Sequence, residues 1–232
     1  MTYGIASAPA VASVDIDTRA RFINRTYGHL FGAIVAFTLF EVALFKTGLA
    51  ARLFQLMAGS SWLLWLGAFM VVSWLASRVA HNSASMGAQY AALGGFVAAE
   101  GIVFAPLLYV AEFSAGGGVI QNAAYLTVLG FAGLTAIAVM TRKDFSFLGG
   151  ILRWVALCAL GLIVAGALFG FSLGIFFTIG MIAFAGAAIL YDTSNVLYHY
   201  PESRYVGASL QLFASIALLF WYLLQLLMSS RD

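Results

Sequence analysis

The chain has 232 residues, of which 63% are hydrophobic and only 9% are charged. A soluble domain carries about 25% charged residues, so this composition excludes an ordinary soluble fold and predicts a polytopic membrane protein. The net charge is only +2 and the basic residues lie at the ends of apolar segments, which argues against nucleic-acid binding.

The first 24 residues are polar and rich in small side chains. We predict a mobile cytoplasmic tail at residues 1–24, followed by a single transmembrane domain at residues 25–232. A secretory signal would place a short apolar core directly after its charges. The first long apolar run begins only at Tyr27, so we expect the first hydrophobic segment to be retained.

Seven apolar segments follow, separated by Gly, Pro, Ser, Asn or charged residues. Each is near the length of about 20 residues that crosses a hydrocarbon core as a helix. A transmembrane β-barrel would instead show alternating strands of about ten residues. The predicted fold is therefore an all-α bundle of seven transmembrane helices, at residues 27–45, 61–79, 87–110, 119–140, 148–169, 173–197 and 206–228.

The distribution of Lys and Arg predicts the orientation of the bundle. Eight of the eleven basic residues fall on one side if the N-terminus is cytoplasmic and the C-terminus is outside. His29, His81 and His199 fall on that same side. The cytoplasmic basic residues are then Arg19, Arg21, Arg25, Arg78, Arg142, Lys143, Arg153 and Arg204, while Lys46, Arg52 and Arg231 lie outside.

Two further segments carry structural expectations. Residues 49–57 have apolar side chains at helical spacing, which fits either a helix along the outer interface or an ordinary loop extension. Small residues recur at Gly161, Ala165, Gly166, Gly170 and Gly174, and such residues let helices pack closely in lipid.

Three acidic residues fall within predicted spans, where a carboxyl group is costly and often functional. Glu41 lies near the outer interface, where its side chain can reach polar surroundings, so we favour a structural role. Glu100 lies roughly 20 Å from the cytoplasmic edge, with Pro106 following in the same span. Glu100 could equally well belong to a functional site or be a buried acid whose hydrogen bonds are all made within the protein. Asp192 lies roughly 9 Å inside its span, and for it we favour a functional role.

Enzyme motifs provide no match in this sequence. It contains no HExxH zinc motif and no GxSxG nucleophile motif. The pair Tyr191-Asp192 is similar to half of an intramembrane aspartyl protease site, but a mechanism with two carboxylates needs a second Asp, and no GxGD motif exists. We therefore predict no catalysis, no cofactor and no resident metal.

Two segments carry a family resemblance. TRKDFSFLGG at residues 141–150 and ILYDTSNVLYHYPESRYVGASLQLF from Ile189 resemble the Bax inhibitor-1 (TMBIM) family, in its bacterial YccA-like branch. The resemblance implies a multi-pass protein of the bacterial inner membrane. The specific match covers the C-terminal half, while the N-terminal half agrees in layout.

The resemblance also implies a pair of residues. Members of the wider family look like pH-sensitive calcium leak pathways, in which an acid of the sixth helix pairs with an acid of the seventh. Asp192 matches the first acid, and Ser215 falls at the second position. A serine cannot carry a charge or share a proton as Asp does, so the shared-proton gate is in doubt here.

Three functions stay open from the sequence. The YccA-like branch implies a non-catalytic partner that binds and modulates the FtsH membrane protease. The wider family implies ion transport by a calcium or proton leak, with Asp192 as the gating acid and a transient Ca²⁺ ligand, Ser215 beside it and Glu100 as an alternative partner. The third is a protein that packs with lipid or partners and whose acids are merely satisfied.

Overall fold

The computed structural model describes residues 10–115 and 117–230. Short 3₁₀ turns at Val11–Ser13 and Glu202–Arg204 precede the first and last α-helices. No β-strand occurs in these two ranges. Their eight α-helices are α1 (Ile16–Lys46), α2 (Leu49–Ala58), α3 (Trp62–Asn82), α4 (Met86–Phe113), α5 (Val119–Thr141), α6 (Leu148–Phe169), α7 (Gly174–Tyr198) and α8 (Tyr205–Ser229).

All of these helices except α2 are long and apolar enough to cross a membrane, which confirms the predicted all-α architecture with seven spans. Apart from the start of α1, every boundary lies within three residues of the predicted one. That the two termini lie on opposite sides of the membrane stays a prediction. Which side is cytoplasmic stays a prediction, and Arg231 lies outside the described residues.

The N-terminal segment differs from the predicted tail. Helix α1 begins at Ile16, because the side chain of Asp15 accepts a hydrogen bond from the Thr18 N–H at 2.9 Å and caps the helix. Val11 is fully buried, and its N–H donates to the Tyr200 carbonyl at 2.9 Å. Residues 10–24 therefore belong to the folded bundle, although their polar composition is typical of a tail. Residues 1–9 lie outside the described part of the chain.

Helices α4 and α8 form the centre of the bundle. Half of the most apolar window of α4 is buried and 39% of that of α8, whereas no other span exceeds 22%. Helix α8 packs against α1, α3, α4, α5 and α7. The outer helices expose large apolar side chains, such as Leu64, Leu129 and Leu157, as expected for surfaces that face lipid.

Close helix contacts depend on glycines other than those expected. A Cβ atom at Gly101 of α4 would lie 2.4 Å from the ring of Phe40, and one at Gly149 of α6 would lie 2.8 Å from the ring of Tyr191. At Gly161, by contrast, a Cβ atom would meet nothing within 4 Å. The close-packing role predicted there is wrong, because Gly161 faces open space.

Two other glycines of the recurring small residues, Gly170 and Gly174, form a turn. Gly170 and Gly174 have φ of +74° and +70°, in the left-handed region that favours glycine. They end α6 and begin α7, so their role is to reverse the chain between two spans.

Helix α2 confirms the helical spacing read from residues 49–57. Its residues Ala50 and Met57 are buried, and the ring of Phe54 stacks on that of Tyr109 in α4 with centroids 5.3 Å apart. The segment is therefore a packed helix on the side of α1 and α4, and its position at a membrane interface stays a prediction.

Candidate functional site

A cavity of about 620 Å³ lies between α3, α4, α6, α7 and α8. Its lining along α3 runs from Trp62 to Ser77, which corresponds to roughly 22 Å at 1.5 Å per residue. It therefore extends over more than half of a hydrocarbon core of roughly 30 Å. The walls are mostly apolar. Apart from aromatic side chains, the polar groups on them belong to Ser73, Ser77, Glu100, Arg153, Asp192, Gln211 and Ser215.

Asp192 of α7 and Ser215 of α8 are in direct contact on the wall of this cavity. The Ser215 hydroxyl donates to Oδ2 of Asp192 at 2.5 Å. The two residues are only 2% and 5% exposed, so this hydrogen bond is shielded from bulk solvent. The structure thus brings together the two positions that the family resemblance pairs. Whether they form a gate stays a prediction.

The spacing of buried residues in α7 explains why Asp192 points inward. Ala185, Ile189, Asp192 and Val196 are buried and follow one another at intervals of four, three and four residues. Residues at these intervals share one face of a helix. That face packs against α8, so Asp192 occupies a position that would otherwise hold an apolar core side chain. Its carboxyl group lies on the wall of the cavity.

Glu100 lines the same cavity from α4 and is 8% exposed. Its position is 14 residues from the start of α4, whereas Asp192 is six residues from the end of α7. These offsets correspond to depths of roughly 21 Å and 9 Å. Within the described residues Glu100 makes no hydrogen bond to Asp192. The cavity therefore connects the two acids without joining them in one pair.

Glu41 is more deeply buried than its position in the sequence predicts. It is 6% exposed, and neither carboxyl oxygen has a hydrogen-bond partner among the described residues. It lies between α1 and α4, with one oxygen 3.4 Å from the place a Cβ atom would occupy at Gly101. The expected escape to the outer interface is therefore wrong, because the Glu41 side chain packs inward beside Gly101.

The TRKDFSFLGG segment is tied to the end of α7. The Ser194 hydroxyl donates to Asp144 Oδ1 at 3.1 Å and accepts from the Phe145 N–H at 2.8 Å. His199 Nε2 donates to Asp144 Oδ2 at 2.8 Å, since a carboxylate can only accept. The two segments that carry the family resemblance thus form one contact.

The charge of Asp144 stabilises the contact between the loop and the end of α7. The Ser146 N–H donates to the Asp144 carboxylate and, together with the hydrogen bond from His199, holds the pKa of Asp144 at about 2. Asp144 is therefore ionised at neutral pH and accepts hydrogen bonds from both the loop and α7. The side chains of Asp144 and His199 are each 46% exposed, so the interaction between them adds little to stability beyond positioning the loop.

The loop after α7 contacts two further parts of the chain, α3 and the N-terminal segment. His81 Nδ1 donates to the Ser77 carbonyl at 2.7 Å, and its Nε2 forms a hydrogen bond with the Tyr200 hydroxyl at 2.8 Å. Burial raises the pKa of Tyr200, which keeps this hydroxyl protonated as a donor. The Phe22 ring stacks on Tyr200 with centroids 6.4 Å apart. The N-terminal segment and α3 therefore close this end of the bundle around Tyr200.

Metal-binding geometry is limited. Within residues 10–115 and 117–230, no three His, Cys, Asp or Glu side chains come together as ligands. The side-chain oxygen atoms on the cavity wall include those of Asp192 and Glu100, together with the hydroxyl and amide oxygens of Ser73, Ser77, Gln211 and Ser215. Such oxygen groups can contribute a few ligands to a passing cation, while water would supply the rest.

Comparison with known proteins assigns the chain to a family. The family model described as inhibitor of apoptosis-promoting Bax1 matches residues 19–232. The chain belongs to the Bax inhibitor-1 family. The match begins inside α1 and includes all seven spans, so family membership applies to the whole bundle.

Named relatives lie in bacteria, yeast and a virus. The "Modulator of FtsH protease YccA" of Escherichia coli K12 is 33% identical over 134 residues, 57% of this chain and 61% of the relative. "Bax inhibitor 1" of Schizosaccharomyces pombe is 33% identical over 138 residues, 57% of this chain and 49% of the relative. The "Golgi anti-apoptotic protein" of vaccinia virus Lister is 28% identical over 223 residues, 94% of this chain and 89% of the relative. The chain spans about half to three-fifths of the length of the bacterial relatives it matches.

Proposed function

We propose that this protein is a non-catalytic inner-membrane protein that binds and modulates a membrane protease of the FtsH type. The observation that carries the proposal is its likeness to the Escherichia coli relative named as a modulator of that protease. A second strain's relative is named an inner membrane protein, which supports the location. Relatives are named as modulators and inhibitors, so the proposal assigns no chemical reaction to the chain.

The surface we assign to the protease is the loop between α5 and α6. Arg142, Lys143 and Phe147 are exposed, with Phe147 at 67%. Asp144 anchors this loop to α7 through Ser194, so the exposed side chains are held in one arrangement. A preorganised loop loses less conformational entropy when a partner binds. Orientation by the positive-inside rule places this loop in the cytoplasm.

Co-purification from mild detergent tests this proposal. The parent chain should retain the protease, and a strain lacking the chain should show altered turnover of the protease's membrane substrates. Lys143→Glu reverses a charge in the loop and should reduce retention, because charge complementarity between partners contributes to specificity and to the rate of association. The control is Lys46→Glu, which makes the same charge reversal at an exposed residue at the end of α1, on the side predicted to lie outside. It should leave retention of the protease unchanged. No retention by the parent, or equal loss in both variants, would refute the proposal.

A second candidate function is a cation leak, and the cavity favours it. We propose that Ca²⁺ passes along the space that Asp192 and Glu100 both line, with the Ser215 hydroxyl beside Asp192. Carboxyl and hydroxyl oxygens are the ligands that Ca²⁺ prefers. Acidic groups spaced along an otherwise apolar path would bind the ion weakly at more than one depth, which permits it to leave again.

Flux into liposomes tests the leak independently of protease binding. Asp192→Asn and Glu100→Gln should each change calcium flux, because each removes a carboxyl group from the cavity wall. Glu112→Gln and Asp17→Asn are matched controls at exposed positions outside the cavity, and they should leave the flux unchanged. Absent flux in the parent, or equal flux in all four variants, would exclude the leak and leave the protease proposal intact.

A further inference from the structure

A second cavity, of about 560 Å³, lies in the groove between α1 and α4, away from the acids of the first. Along α1 its lining runs from Arg25 to Phe40, roughly 22 Å. One leaflet of the hydrocarbon core is roughly 15 Å thick, so the groove is long enough to run from the headgroup region to the bilayer centre. Gly94, Val97 and Ala98 supply its wall on α4.

The glycines of this groove do not bring the helices together. A Cβ atom at Gly28, Gly32 or Gly94 would meet nothing within 4 Å. Further along the same pair of helices, a Cβ atom at Gly101 would lie 2.4 Å from the Phe40 ring. Helices α1 and α4 are therefore in close contact at the Phe40 end, whereas at the Arg25 end the longer side chains of His29 and Tyr90 bridge them and the glycine positions stay open. The missing side chains leave space for an apolar chain.

The mouth of the groove carries positive charge without a protein partner. Among the described residues, the Arg25 guanidinium lies over the ring of Tyr205, 5.5 Å from its centroid, and makes no ion pair or hydrogen bond. His29 Nδ1 donates to the Arg25 carbonyl, and its Nε2 interacts with the Tyr90 hydroxyl at 2.9 Å. No carboxylate belongs to the described lining of the groove.

We propose that this groove binds an anionic phospholipid, with its phosphate at Arg25 and one acyl chain along Gly28, Gly32 and Ala98. A guanidinium provides five N–H donors that suit phosphate oxygens. The apolar lining suits the acyl chain, and the basic mouth selects against a second positive charge in the headgroup. This end of the bundle is the one that the positive-inside rule places toward the cytoplasmic leaflet, whose lipids carry negative charge.

Native mass spectrometry of the full chain tests the proposal, with phosphatidylglycerol, phosphatidylcholine and inorganic phosphate as probes. One phosphatidylglycerol should be retained at least about fivefold better than phosphatidylcholine. Inorganic phosphate should not compete at concentrations that saturate the lipid, because it lacks the acyl chain. Equal retention of both lipids, or displacement by phosphate, would overturn the proposal.

Two variants with matched controls locate the lipid. Arg25→Gln should reduce the retention of phosphatidylglycerol about fivefold and leave the retention of phosphatidylcholine unchanged. The control is Arg78→Gln, because the Arg78 guanidinium also stacks on an aromatic ring, and it should change the retention of neither lipid. Gly32→Leu should fill the groove and reduce the retention of both lipids. Gly161→Leu adds the same side chain where a Cβ atom also meets nothing, outside the groove, and should have no effect. Equal effects within either pair would overturn the assignment.

Discussion

Removing the Ser215 hydroxyl should delete one hydrogen bond between α8 and Asp192 and lower the free energy of unfolding. Ser215→Ala deletes the donor of a 2.5 Å hydrogen bond to the Asp192 carboxyl group while keeping nearly the same volume. A hydrogen bond to a charged group contributes about 1.5–3 kcal/mol in proteins generally. Measured values between membrane helices are smaller, about 0.6 kcal/mol on average and about 1.7 at most.

The cavity decides which of these magnitudes applies. Its volume of about 620 Å³ is far larger than the roughly 30 Å³ that one water molecule occupies in the liquid. Water can therefore replace the lost hydroxyl on the Asp192 carboxyl group. We expect Ser215→Ala to cost about 1 kcal/mol, between the average and the maximum measured for such hydrogen bonds between membrane helices.

A double-mutant cycle measures this contribution in mixed micelles, with unfolding followed by the fluorescence of the five tryptophans. Ser215→Ala and Asp192→Asn should be non-additive by about 1 kcal/mol, since each removes part of the same interaction. The control is Ser209→Ala on the same helix, because that buried serine donates to the backbone carbonyls of Thr26 and Tyr205 instead. Additivity of Ser215→Ala with Asp192→Asn within about 0.3 kcal/mol would refute the reasoning.

Three further predictions concern the end of the bundle that carries the loop between α5 and α6. Gly149→Ala should destabilise the protein by about 1–3 kcal/mol in thermal unfolding, because the new Cβ atom would lie 2.8 Å from the ring of Tyr191, whereas Gly150→Ala meets no atom and should be neutral or stabilising. Because the pKa of Asp144 is lowered in the folded state, its stabilising effect should be complete above about pH 4 and be lost as the pH falls toward 2. Hydrogen exchange of the loop amides measures that loss. Val11→Asp should free the N-terminal segment and raise its protease sensitivity, since it buries a charge without a partner.

Distinct results would contradict each of these expectations. Equal melting temperatures for the two glycine variants would show that the α6–α7 contact relaxes without cost. Loop exchange that rises already between pH 7 and 5 would point to a group other than Asp144. Unchanged protease sensitivity of the Val11→Asp variant would mean that the N-terminal segment is held by other contacts.

The candidate site could be predicted only in part. Asp192 is recognisable because a single acid interrupts an apolar helix, and Ser215 follows from the family resemblance. Glu41 was assigned to the interface because its distance along the chain from Lys46 is short. In the structure its side chain points toward Gly101, and no distance along α1 indicates which neighbour lies on that side.

The sequence by itself determined the seven spans, since the length and hydropathy of a helix that crosses a membrane are local properties of the chain. It also determined that Asp192 is costly, because an acid in an apolar span requires a specific environment. Only the tertiary structure decided that Asp192, Ser215 and Glu100 share one cavity and that Arg25 opens onto another. A cavity exists where neighbouring helices fail to fill the space between them, and that depends on side chains from helices far apart in sequence.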